Sequence, residues 1–151
     1  MISKTRGPIP PVILLACILS EIGLHYKLPL AEIIPAPWHW FGVAMIVVGV
    51  LIIIGPAAAF AKADTTIKPF QDSSKLVVTG MYRYTRNPMY VGMVIILLGV
   101  AVLLGDLSPF IMPILFVPIL NSRVIRHEEV MLEERFGDEY RQLKKSVRRW
   151  I

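Results

Sequence analysis

The chain predicts an all-helical integral membrane protein, with about four transmembrane helices and a C-terminal amphipathic helix at the cytoplasmic surface. Three observations carry this. At 151 residues and 55% hydrophobic with positive mean hydropathy, it is too apolar for an ordinary soluble domain and fits one membrane-embedded unit over 1–151. Its apolar residues gather into four runs, each near the roughly 20 residues that a bilayer core demands. Its Lys and Arg flank those runs, which accounts for the net charge of +5 through anionic lipid headgroups and topology, with no nucleic-acid partner.

The first run, about Ile9 to Tyr26, follows Lys4 and Arg6 and leads without a small-residue cleavage site into Glu21, His25 and Tyr26. It is therefore expected to be a retained span and not a signal peptide. Glu21 and His25 are four apart and share a helix face. They can make a polar contact inside the bundle or snorkel at the far interface, and snorkelling is the favoured reading. Cys17 has no partner for an internal disulfide and reads as a small buried hydrophobe.

Pro29, Pro35 and Pro37 mark a loop, and Trp38 and Trp40 an aromatic belt opening the second run, about Trp38 to Ala61. There Gly49, Gly55, Ala57, Ala58 and Ala59 would let a neighbouring helix approach, although Gly55-Pro56 can simply kink it. From Lys62 to Ser74 the hydropathy collapses into a polar loop. The third run starts at Pro88, where a missing N–H does no harm, and ends at Gly105. After a tight turn the fourth, about 107–122, carries Pro109, Pro113 and Pro118 and reads as a kinked helix paired with the third.

Every Lys and Arg except Lys27 then falls on one side of four spans. The positive-inside rule puts that side, with both termini and the polar loop, in the cytoplasm, as in a bacterial inner membrane. Beyond Arg123, residues Leu132, Phe136, Tyr140, Leu143, Val147 and Trp150 recur at helical steps, with Gly137 expected to break the segment in two. The distal piece reads as lying on the leaflet, with Lys144, Lys145, Arg148 and Arg149 as a solvated, lipid-facing patch.

Two polar stretches fall on the same predicted face. LVVTGMYRYTRNPMYVG, Leu76 to Gly92, sets Arg83, Arg86 and three tyrosines at the mouth of a span, and Arg126 to Glu134 adds carboxylates. Polar groups at a membrane mouth are expensive and point to a polar ligand. Carboxylates for an ammonium, N–H donors for a carboxylate and an aromatic shelf suit a zwitterion bearing a ring. The residue types alone leave equal room for a juxtamembrane anchor, with Arg and Tyr on headgroups. No metal-ligand spacing, nucleophile with its base, or Gly-rich phosphate loop is visible.

That run, with HEEVMLEERFGDEYRQLKKSV after a hydrophobic hairpin, resembles the signature of the isoprenylcysteine carboxyl methyltransferase and phospholipid methyltransferase superfamily of membrane enzymes. Its pattern is approximately Leu-Val-x-x-Gly-x-Tyr, Arg-His-Pro-x-Tyr-x-Gly, then Glu-Glu and Phe-Gly with a Tyr three residues on. Asn87 departs from the His of eukaryotic members and marks a bacterial-type member.

The resemblance implies S-adenosyl-L-methionine as cofactor, with Ser74, Lys75, Leu76, Val77 and Tyr82 lining its adenosine portion. Asn87, Pro88, Met89 and Tyr90 would hold the methionine moiety, and Glu128 would meet its ammonium. Arg86 and Glu129 are the implied catalytic pair. Arg123 and Arg126 are the candidate substrate contacts, flanking Val124 where carboxyl methyltransferases place an arginine.

Methyl transfer from a sulfonium depends on holding nucleophile and methyl in near-attack geometry. A carboxylate nucleophile arrives ionised, whereas an amine or hydroxyl needs Glu129, Glu128 or a tyrosine as base. The implied acceptor is lipophilic, an isoprenylcysteine-like carboxylate or a lipid headgroup. The alternatives are an NADPH-using membrane reductase related to the sterol reductases, and a non-catalytic membrane scaffold or ligand binder.

Overall fold

The computed structural model describes residues 9–62, 76 and 78–151. Its helices are α1 Pro10–Lys27, α2 Phe41–Lys62, α3 Pro88–Leu104, α4 Ile111–Leu120, α5 Arg126–Phe136 and α6 Asp138–Ser146. Among the described residues there is no strand, only two isolated bridges. Trp38–Ala58 and Ser108–Phe136 are long and apolar enough to cross a membrane, and Pro88–Leu104 is a shorter apolar helix. Lys4, Arg6, Lys68 and Lys75 lie outside the described residues, as does most of the expected polar loop.

Helix α3 is the centre of the bundle, packed by α1, α2 and α4. It begins at Pro88, whose fixed φ suits a first helical position, and the Asn87 carbonyl accepts the Tyr90 and Val91 N–H groups at 3.0 and 3.1 Å. It ends at Gly105, which turns the chain with φ 77°. A core of Cys17, Tyr90, Met93, Leu97, Phe116, Leu120, Val124 and Ile125 joins α1, α3, α4 and the turn after α4.

The α2–α3 pair is antiparallel and closes on four glycines. A Cβ at Gly42 would lie 2.3 Å from the Gly99 carbonyl oxygen, and one at Gly92 would lie 2.7 Å from that of Gly49. The glycines recur every seven residues on each helix, so both pairs fall along one seam and the backbones themselves are in contact. Gly49 is thus a contact residue as expected. Gly55 is not, because a Cβ there meets nothing within 4 Å. Helix α2 continues through Pro56.

At the far end of α3, Ile33 N–H and Ile34 N–H donate to the Gly105 carbonyl at 2.9 and 3.1 Å, and Leu107 N–H donates to Ala31 at 2.9 Å. His25 pairs with Asp106 there, and Glu21 is fully buried. This corrects the snorkelling reading of both residues. Helix α1 packs against α3, α4 and the turn Ser108–Phe110, which buries the Glu21 face and brings Asp106 to His25.

Helix α4 runs through Pro118 into one π-helical turn, Asn121–Ile125, and on into α5. Gly137, at φ 53° and ψ −122°, separates α5 from α6 as expected. Helix α6 stops at Ser146, short of the expected end near Trp150, because Val147 is extended at φ −124° and ψ 133°. From there the last residues cross the start of α3.

Candidate functional site

The site lies at the N-terminal end of α3, where Thr85–Tyr90, the start of α5 and the C-terminal residues converge. Tyr90 is two residues into α3 and 6% exposed. Its hydroxyl lies 2.8 and 2.9 Å from the two Glu128 carboxylate oxygens. The two polar stretches are therefore joined by a neutral donor on a carboxylate. Tyr82 is buried beside them, and burial with the Glu128 charge raises its phenol above the ordinary range.

Glu129 sits next to Glu128 on α5, is 8% exposed, and faces two guanidiniums. Arg149 Nε and Nη2 donate to its oxygens at 2.9 and 2.6 Å, a bidentate fork, while Arg86 Nη1 is 3.1 Å away. The bond to Glu129 also raises the Arg149 guanidinium. Tyr140 of α6 is buried against this cluster. Burial and the Glu129 charge push its phenol up to about 12, against the opposing effect of Arg86.

Backbone groups complete the arrangement. Arg86 N–H donates to the Arg148 carbonyl at 3.0 Å, and Asn87 Nδ2 and Thr85 Oγ1 donate to the Arg149 carbonyl at 2.9 and 3.2 Å. Thr85 Oγ1 in turn accepts the Asn87 N–H at 3.1 Å. Trp150 Nε1 donates to Asn121 Oδ1 at 3.2 Å.

The sequence reading of Arg149 as part of a solvated, lipid-facing patch is thereby corrected. Its guanidinium is held by Glu129 and its carbonyl by Asn87 and Thr85, whereas Lys145 and Arg148 are exposed. Lys144 pairs with Glu133 at 2.9 Å. The apolar residues that defined the helical face offered no signal for Arg149, because its partners come from segments distant in sequence.

Arg86, Asn87, Tyr90, Glu128 and Glu129 come together, Pro88 is buried at the helix start and Met89 is half-buried beside it. Arg123 and Arg126 are exposed on either side of fully buried Val124. Leu76 is half-buried, and Ser74, Lys75 and Val77 lie outside the described residues.

The donor set fits a zwitterion. Glu128 offers a half-buried carboxylate whose hydrogen bond comes from an uncharged phenol. Arg86 Nε is buried with no hydrogen-bond partner among the described residues. An unsatisfied buried donor on a cation calls for an anionic or carbonyl oxygen.

A family model described as phospholipid methyltransferase matches residues 37–139. An uncharacterised protein of Haemophilus influenzae is 41% identical over 63 residues, which is 42% of this chain and all of that protein. The protein-S-isoprenylcysteine O-methyltransferase of Schizosaccharomyces pombe is 43% identical over 75 residues, which is 48% of this chain and 30% of the yeast enzyme. No solved structure matches the chain. The chain belongs to the phospholipid methyltransferase family, in the superfamily that also holds the isoprenylcysteine carboxyl methyltransferases.

Proposed function

We propose that this protein is a membrane methyltransferase that uses S-adenosyl-L-methionine on a lipophilic acceptor at the cytoplasmic face. The observation that carries the proposal is the Tyr90–Glu128 contact of 2.8 Å, which makes one site of two polar stretches within a chain of a methyltransferase family. When bound, the cofactor would supply an electrophilic methyl group on a sulfonium. Glu128, aligned by Tyr90, would hold its ammonium, and Arg86 Nε would take its carboxylate. Pro88, Met89 and Tyr82 would contribute apolar and ring surface, and Leu76 with its neighbours Ser74, Lys75 and Val77 would face the adenosine. Asn87 would act through the turn it braces.

The engagement of Glu129 by two guanidiniums supports an acceptor that needs no proton removed there. Taking up a proton at Glu129 would cost both ion pairs. An ionised carboxylate meets this requirement, and an amine or hydroxyl acceptor would instead need Glu128. Arg123 and Arg126, exposed on the same stretch, would receive an anionic headgroup or carboxylate.

In this reading all four apolar helices cross the bilayer. Helices α1 and α3, at 18 and 17 residues, extend about 27 and 26 Å at 1.5 Å per residue, close to the hydrocarbon thickness. The site then shares the side that carries nearly all the basic residues.

The test is transfer of labelled methyl from S-adenosylmethionine into a membrane lipid extract by the purified protein. Incorporation into a lipid-soluble product supports the reading. Cofactor binding without any labelled acceptor would favour a ligand-binding scaffold, and binding of NADPH but not S-adenosylhomocysteine would favour a reductase.

A further inference from the structure

We propose that Arg149 is a positioning residue of this site and that Val147–Ile151 is the strap through which it acts. The inference rests on the methyl-transfer reading for its consequence, but not for its geometry. Arg149 lies ten residues beyond the last position matched by the family model. Its role is carried by contacts alone.

The strap ties three elements together. Its Arg148 and Arg149 carbonyls accept from Arg86 N–H at 3.0 Å, Asn87 Nδ2 at 2.9 Å and Thr85 Oγ1 at 3.2 Å, which fixes the turn before α3. The Arg149 guanidinium grips Glu129 at 2.9 and 2.6 Å, which fixes the start of α5. Trp150 reaches Asn121 at 3.2 Å and so engages the π-helical turn between α4 and α5. Val147 is buried and anchors the strap where α6 ends.

Consecutive residues on a helix point about 100° apart. Holding Glu129 against Arg149 therefore also sets the direction of Glu128, toward Tyr90. A π-helical turn immediately upstream is a place where a helix can change its winding. Without the strap, α5 would be free to turn there. The Glu128 carboxylate would leave Tyr90, and Arg86 would be drawn fully to Glu129, losing the free Nε donor. The bidentate geometry needs a guanidinium, which a lysine ammonium cannot reproduce.

Two measurements on the full chain in detergent test this. The first is amide hydrogen exchange across Thr85–Tyr90, which needs no ligand. Arg149→Ala should remove the protection of Arg86 N–H while leaving α3 protected, and protection equal to wild type would overturn the strap. The second is a binding cycle with S-adenosylhomocysteine. Arg149→Ala should weaken binding on the order of tenfold once solvent screening of the half-exposed side chain is allowed for, with Arg149→Lys only partly restoring it.

In a Glu129→Gln background the same substitution should cost under about twofold, because the two act as one unit. An undiminished loss in that background, or unaltered binding by Arg149→Ala alone, would overturn the positioning role. If wild type binds no S-adenosylhomocysteine, the methyl-transfer reading fails, and the exchange measurement alone decides the strap.

Discussion

Tyr90 and Glu128, 38 residues apart in the chain, meet through one phenolic hydroxyl. Replacing Tyr90 with Phe keeps the ring in the core but leaves a half-buried carboxylate without its donor, which costs about 1–3 kcal/mol. Tyr90→Phe is therefore expected to weaken S-adenosylhomocysteine binding roughly tenfold, measured by equilibrium titration, with little change in helical content. Tyr140 gives a check that involves no ligand. With its phenol pushed up to about 12, it should stay mostly protonated at pH 11, where an ordinary tyrosine is mostly ionised, read as weak phenolate absorbance in a wild type minus Tyr140→Phe difference titration. The polar residues that could be read from sequence as costly at a membrane mouth include Arg86, Tyr90, Glu128 and Glu129, which come together, and also Arg83 and Tyr84, which are exposed. Arg149 could not, since a charge near the end of an amphipathic pattern reads as solvated until its partner Glu129 is known. His25 gave no pointer to Asp106 for the same reason, as the pair is 81 residues apart.

The helices themselves were legible because apolar runs, Pro88 and the glycines at 105 and 137 mark them locally. Their seams were not. The seven-residue spacing of Gly42 and Gly49 matters only because Gly99 and Gly92 on α3 face them in antiparallel order. Gly92→Val would drive a side chain into the Gly49 carbonyl and Ile53, and overpacking of this kind typically costs ~1–3 kcal/mol. It should lower the thermal unfolding midpoint in detergent. Gly55→Ala, with open space around it, should leave that midpoint unchanged or raise it slightly. An equal loss from both would mean that the α2–α3 seam is not closed by backbone contact. The π-helical turn and the extended strap had no local signature, since both follow from how α5 and Val147 are held by other elements.

Taken whole, the bundle is polar at both ends in different ways. One end carries His25, Asp106 and the backbone bonds between 31–34 and 105–107; the other carries the arginine and glutamate cluster. The proposed orientation, with the cluster in the cytoplasm, is open to direct measurement because Cys17 is the single cysteine and is buried. A cysteine at Lys145 should react with an impermeant maleimide only in inverted membrane vesicles, and one at Lys27 only in intact cells. Reaction of both from one side would contradict four spans. The central claim is that the Tyr90–Glu128 site holds a sulfonium nucleotide, and equilibrium binding of S-adenosylhomocysteine to wild type and Glu128→Gln protein tests it most directly. The account predicts saturable binding by wild type and a loss of about tenfold or more in the variant, as the carboxylate charge facing the ammonium is removed. Equal binding by the two proteins, or none by wild type, would contradict it.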